Sequence, residues 1–163
     1  VNQHNRTTRF FAAMLIGGGT IGIAIVAIIG YQLVQQSWLL IVPMAGLAAV
    51  FTWAAFTGVR LWQGTPYGRR WAPILFASQI PVLAIPGLKY QWFTGANFGP
   101  ALEFGSGSTE VGFGANIGAN GDFFFGTGVT EYIVGINLFA IIALVLLVRS
   151  NNSFKPTPLR GAA

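Results

Sequence analysis

The chain of 163 residues contains no cysteine, so disulfides and thiolate metal sites are excluded. Its one histidine, His4, lies in a polar N-terminal segment and cannot form a histidine metal cluster within one chain. Charge is equally scarce. Asp, Glu, Lys and Arg make up 8% of the residues, against about 25% in an average soluble domain. No H-E-x-x-H, G-x-S-x-G, P-loop or dinucleotide fingerprint occurs. An ordinary soluble enzyme and a disordered chain are therefore both poor fits, and no cofactor or metal is expected.

Apolar residues supply 53% of the chain, and the mean hydropathy is +0.62. Arg9 and Arg60 bracket fifty consecutive positions without a charge. Four uncharged runs stand out: Phe10 to Gly30, Trp38 to Gly58, Trp71 to Leu88 and Tyr132 to Val148. The first is too long for the apolar core of a signal peptide, and no clean cleavage site closes it. Runs of 17 to 21 residues approach or match the thickness of a bilayer's hydrocarbon core as helices. The expected fold class is membrane all-α, a four-transmembrane-helix bundle.

The net charge of +5 becomes informative once it is placed along the chain. If the four spans alternate sides, one side receives Arg6, Arg9, Arg60, Arg69, Arg70, Arg149, Lys155 and Arg160 and no carboxylate. The other receives Lys89 with Glu103, Glu110, Asp122 and Glu131. The positive-inside rule places both termini in the cytoplasm. Eight of the nine Trp and Tyr residues fall near span ends, where amphipathic rings prefer to lie. The basic balance thus reads as topology. The partners expected are the lipid bilayer and a second copy or another membrane protein, not nucleic acid.

Residues 89–131 form an outer loop rich in glycine and phenylalanine that holds every acidic residue. In Glu110 to Gly118, Val111, Phe113, Ala115 and Ile117 alternate with polar and glycine positions, which predicts a strand with one buried face. Ala101 to Phe104, followed by Gly105-Ser106-Gly107-Ser108, suggests a preceding strand and its turn. Asn120-Gly121 predicts a tight hairpin turn, with a returning strand over Asp122 to Val129. The loop is expected to be a small extracytoplasmic antiparallel β-meander, serving as a recognition cap or as a plain lid over the bundle.

Within the spans, Gly18 and Gly22 form a G-x-x-x-G pair, and Ala45 and Ala49 give the second span a similar stripe for helix packing. Pro81 and Pro86 should kink the third span by freeing backbone carbonyls. Gln79 and Asn137 are the most polar side chains at depth; they are expected to face the bundle interior and to hydrogen-bond to each other. No span contains an ionisable side chain, which disfavours proton relays and ion-coupled transport. The leading expectation is a non-catalytic structural or interaction protein, and the alternative an oligomeric pore or transporter subunit.

Residues 150–163 turn polar, with two prolines and no hydrophobic period, and read as a disordered tail. The segment SFKPTPLRGAA resembles the endings of bacterial open reading frames that run into the recombination-site repeat of integron gene cassettes. That resemblance covers about the last dozen residues and implies a bacterial gene, with no bearing on fold or activity; taken with the apolar spans, the expected location is the bacterial inner membrane.

Overall fold

The first two apolar runs form long helices in the computed structural model, which describes residues 3–104, 108–126 and 132–152. Helix α1 spans Gln3–Gln36 without interruption, because no proline or αL glycine breaks it. A 3-10 turn at Trp38–Leu40 leads into α2, Ile41–Trp62. Pro43 sits in the first turn of α2, where a missing N–H removes no helical bond. Helix α2 ends in a Schellman motif: Gly64 adopts φ 71°, its N–H donates to the Leu61 carbonyl, and the Thr65 N–H donates to that of Arg60. Thr65 then caps α3, Pro66–Ser78, accepting from the Gly68 N–H at 3.3 Å, with Pro66 in the first helical position. Helix α4 is Leu138–Asn152.

Helices α1 and α2 lie antiparallel and very close. A Cβ on Gly19 would fall 2.7 Å from the Ala55 nitrogen, and one on Gly58 would fall 2.9 Å from the Ala12 carbonyl oxygen. Helices α3 and α4 flank only the lower half of this pair, since they are about 20 Å long against about 50 Å for α1. Rings of Phe11, Phe76, Phe98 and Phe139 meet edge to face at centroid distances of 5.6–6.4 Å, knitting α1, α3, α4 and the sheet together.

Four strands make one antiparallel sheet: β1 (Pro81–Ile85), β2 (Gly87–Phe104), β3 (Thr109–Gly126) and β4 (Tyr132–Ile136). Strands β2 and β3 form a ribbon of 18 residues each, paired from Gly87↔Gly126 to Phe104↔Thr109. The other edge of β2 pairs with β1 near its start (Leu83↔Tyr90) and with β4 near its end (Leu102↔Val134). Strands β1 and β4 also pair with each other, at Leu83↔Val134. Three antiparallel pairings around a ring of three strands are compatible only if one strand reverses direction. The long β2 does so, and β3 follows it. Gly95 (φ 93°) and Gly118 (φ 132°) face each other across the ribbon, so both chains turn where a side chain would be strained.

Several expectations are overturned. The protein is not an all-α bundle of four membrane-spanning helices: of the described helices, two are long and apolar enough to cross a membrane, Arg6–Leu33 and Trp38–Trp62. The third run leaves the helix after Ser78 and becomes β1 and the start of β2; the fourth begins as β4 and turns helical only at Leu138. Pro81 does not kink a helix but opens β1, where a strand tolerates a missing N–H. Pro86 and Gly87 (φ 84°) instead form the two-residue turn of the β1–β2 hairpin, closed by the Ile85↔Leu88 pair. Asn120 and Gly121 are not a turn. They pair with Phe93 and Trp92 in the interior of the ribbon, which stays paired as far as Phe104↔Thr109; residues 105–107 of the expected Gly-Ser turn lie outside the described residues. The face bearing Val111, Phe113 and Ile117 is exposed (69–89%), not buried. The sheet is also more than a cap, because its bend packs against the middle of α1. The returning strand expected over 122–129 is the continuation of β3 as far as Gly126; its remainder, and the tail from 153 onwards, lie outside the described residues.

Candidate functional site: the clasped bend and the free edge

Between its pairings with β1 and β4, β2 has a stretch, residues 91–100, whose inner edge meets no strand among the described residues. Two side-chain amides take the strand's place. The Thr94 N–H donates to Gln79 Oε1 at 3.0 Å, and Gln79 Nε2 donates to Thr94 Oγ1 at 3.0 Å. The Phe98 N–H donates to Asn137 Oδ1 at 3.4 Å, while Asn137 Nδ2 donates to the Ala96 carbonyl at 3.4 Å. A primary amide offers a donor and an acceptor in one plane, like a peptide group, so it can continue a ladder that the backbone has left. Gln79, Thr94 and Asn137 are each at most 1% exposed, and burial without these bonds would carry a large penalty.

The same residues terminate helices. Gln79 is the C-cap of α3. Asn137 precedes α4 and accepts from the Ala140 N–H at 3.3 Å, the geometry of an N-cap. The Asn137 N–H also donates to the Ile80 carbonyl at 2.8 Å, tying the two joints together. The carbonyl of Ser78, at the end of α3, accepts from the Tyr90 hydroxyl at 2.7 Å and from Trp92 Nε1 at 3.1 Å. Gln79 and Asn137 therefore belong to one buried cluster. They do not bond to each other; each clasps the ribbon separately.

Gly18 lies directly under this bend, where a Cβ would overlap the Gly95 nitrogen and the Thr94 backbone. A Cβ on Gly22 would overlap the Phe51 ring of α2. Ala45 and Ala49 are exposed and sit apart from the cluster. Sequence reasoning missed Thr94 and the Gly95/Gly118 pair. The signal for the glycines was faint, because β3 holds so many others.

The second feature is the outer edge of β3. Every described residue from Ser108 to Ile117 is exposed, and among the described strands β3 ends the sheet with β2 on one side only. Register places Leu83, Val134, Leu102 and Val111 in one row on one face, with Pro100 beside Phe113 on the same face. Glu103 and Glu110 face each other near the end of the ribbon, and Lys89 pairs with Asp122 at 3.1 Å near its start. Among the described residues no group of three or more His, Asp or Glu could hold a metal.

Chemically, the arrangement can hold and present backbone. The buried polar groups of the clasp are two amides and the Thr94 hydroxyl, all engaged in hydrogen bonds; the one other buried polar side chain among the described residues, Thr57 of α2, has a hydroxyl without a partner, and none of the four is titratable. No family model, no curated protein and no solved structure matches the chain.

Proposed function

We propose that this is an integral membrane protein that works by packing and binding, without catalysis. In this reading α1 and α2 cross the bilayer, α3 and α4 occupy its cytoplasmic half, and the sheet stands in its outer half. The observation that carries it is the distribution of charge. Arg6, Arg9, Arg60, Arg69, Arg70 and Arg149 stand at the ends of α1, α2, α3 and α4 that meet, where Asn151 Nδ2 donates to the Arg69 carbonyl at 2.8 Å and Arg9 lies over Trp62. Lys89, Glu103, Glu110 and Asp122 lie toward the ribbon's two ends, away from the bend. Among the described residues no charge lies between the two levels.

The dimensions agree. Arg9 to Gly30 rises about 32 Å along α1. Arg149 to Asn137 rises about 18 Å, and the five residues of β4 add about 16 Å. Helix and strand together thus match a hydrocarbon core of about 30 Å. Only 28% and 11% of the most apolar windows of α1 and α2 are buried within the protein, which favours lipid as their surroundings over a soluble core. Ile25, Ile28, Ile29, Leu39 and Val42 all face outward. The cation-rich end supports cytoplasmic termini, and the tail's resemblance supports a bacterial gene, which together with the two apolar helices favours an inner membrane.

Single cysteines introduced at Gln35 and Gly112 should react with an impermeant thiol reagent from outside intact cells, and one at Gln63 only after permeabilisation. The opposite pattern would invert the protein. Purification as a detergent-free aqueous monomer would end the reading.

The edge of β3 favours a second element of function, assembly with another copy. An unpaired strand edge is a template for pairing, and at membrane depth no water satisfies its N–H and C=O groups. The chain's other strands are already engaged in the ring. Cysteine at Ile117 should therefore give a cross-linked dimer in native membranes, whereas cysteine at Ile28 should not. A monomer in native membranes, with no solute flux from proteoliposomes, would remove both the assembly and the pore that could follow from it.

A further inference from the structure

We infer that the groove between α1 and α4 binds one anionic phospholipid of the cytoplasmic leaflet, an assignment that rests on the membrane reading above. The groove, of about 420 Å³, is lined by Arg6, Thr7, Phe10, Phe139, Ile142 and Leu146. Its composition is graded along its length. Phe139, Ile142 and Leu146 line it over about 10 Å of α4, and Phe10 faces them from α1. Polar residues line it only at the end where the arginines gather, as Arg6 and Thr7.

That gradient selects the ligand. An apolar channel offers nothing to a free phosphate ion, and a cationic mouth offers nothing to a bare hydrocarbon. A glycerophospholipid satisfies both, with its acyl chain along Phe10 and Ile142 and its phosphate on Arg6. The charge setting points the same way. The Thr8 and Ser150 hydroxyls lie 3.3 Å apart, so Arg149 in the last turn of α4 shares this end with Arg6 and Arg9. All four carboxylates of the chain fall at 103–131, so no described residue at this end opposes an anion. Basic pockets between transmembrane helices on the cytoplasmic side are sites where anionic headgroups gather. Phe10 and Ile142 are 51% and 47% exposed, so lipid can enter from the side without any helix moving.

The test uses the full chain in phosphatidylcholine nanodiscs with and without phosphatidylglycerol, read by thermal unfolding and by lipid retained in native mass spectrometry. Phosphatidylglycerol should raise the Tm by about 5 °C and leave one lipid bound. Arg6→Gln, which removes the mouth, and Ile142→Trp, which fills the channel, should each abolish the increment. Arg70→Gln, an equal loss of charge on the exposed face of α3, should keep it. An equal increment in Arg6→Gln and Arg70→Gln would reduce the effect to general electrostatics and overturn the site. So would an absent increment in the unaltered chain, or an equal increment from soluble glycerol phosphate. A chain that inserts into nanodiscs but shows no increment refutes the lipid site alone. A chain that stays in water refutes the membrane reading with it.

Discussion

Replacing Asn137 by leucine should destabilise the protein by about 4 kcal/mol and lower its Tm by roughly 12 °C. The side chain satisfies three backbone groups at once: the N–H of Phe98, the N–H of Ala140 and the carbonyl of Ala96. Leucine fills a similar volume and satisfies none of them. A buried group left without a partner costs about 1–3 kcal/mol, and loss of a helix cap about 1 kcal/mol. Part of this is recovered as the α4 terminus and the ribbon relax, so the total falls below the simple sum. Thr94→Val sets the scale. It is close in shape and removes only the bond from Gln79 Nε2, so about 1 kcal/mol is expected. Equilibrium unfolding in mixed micelles would rank the two. If Asn137→Leu melts within about 2 °C of Thr94→Val, the clasp is not what holds the bend.

The long helices were legible because α1 and α2 are continuous apolar runs whose only proline, Pro43, lies where a helix tolerates one. The ends of the third and fourth runs were not. Hydropathy measures transfer to an apolar medium and does not distinguish a helix from a buried strand, so Pro81–Leu88 and Tyr132–Ile136 matched a span by length. The local evidence was present in Pro86-Gly87, a turn dipeptide flanked by Ile85 and Leu88, but a helical reading of the run takes the same proline for a kink. Asn120-Gly121 erred in the opposite direction. Its local preference for a turn is real, yet the pairing of Phe93 and Trp92 with those two residues holds them extended, and the ribbon stays paired as far as Phe104↔Thr109. Tertiary register overrode local propensity.

The candidate site was partly legible for a sounder reason. Gln79 and Asn137 were conspicuous because an amide among apolar residues must find a partner when buried. Which partner it finds depends on topology. Their separate attachment to Thr94, Ala96 and Phe98 follows from the reversal of β2, a property of how three strands close a ring, which no window of sequence contains.

Gly18→Val should be among the most damaging substitutions in the helices, abolishing folded expression or costing at least about 3 kcal/mol. In α1 a Cβ at this position would come within 2.8 Å of the Thr94 Cα and would overlap the Gly95 nitrogen, and both are backbone atoms that no rotamer change can move aside. The neighbouring glycine is the control. A Cβ on Gly17 would meet nothing within 4 Å, so Gly17→Ala should be neutral or stabilise by up to about 1 kcal/mol, because alanine restricts the unfolded chain more than glycine does. The two positions are adjacent, equally apolar and indistinguishable by hydropathy, so the contrast isolates the contact between α1 and the bend. Because Gly95 itself adopts φ 93° and a Cβ there would fall 2.8 Å from that of Met14, the ribbon cannot relax by exchanging strain across the interface. Expression and thermal unfolding of both variants in the same detergent would decide the matter. If Gly18→Val retains the Tm of Gly17→Ala, the helix does not seat the sheet, and the sheet's place beside the middle of α1 would have to be abandoned.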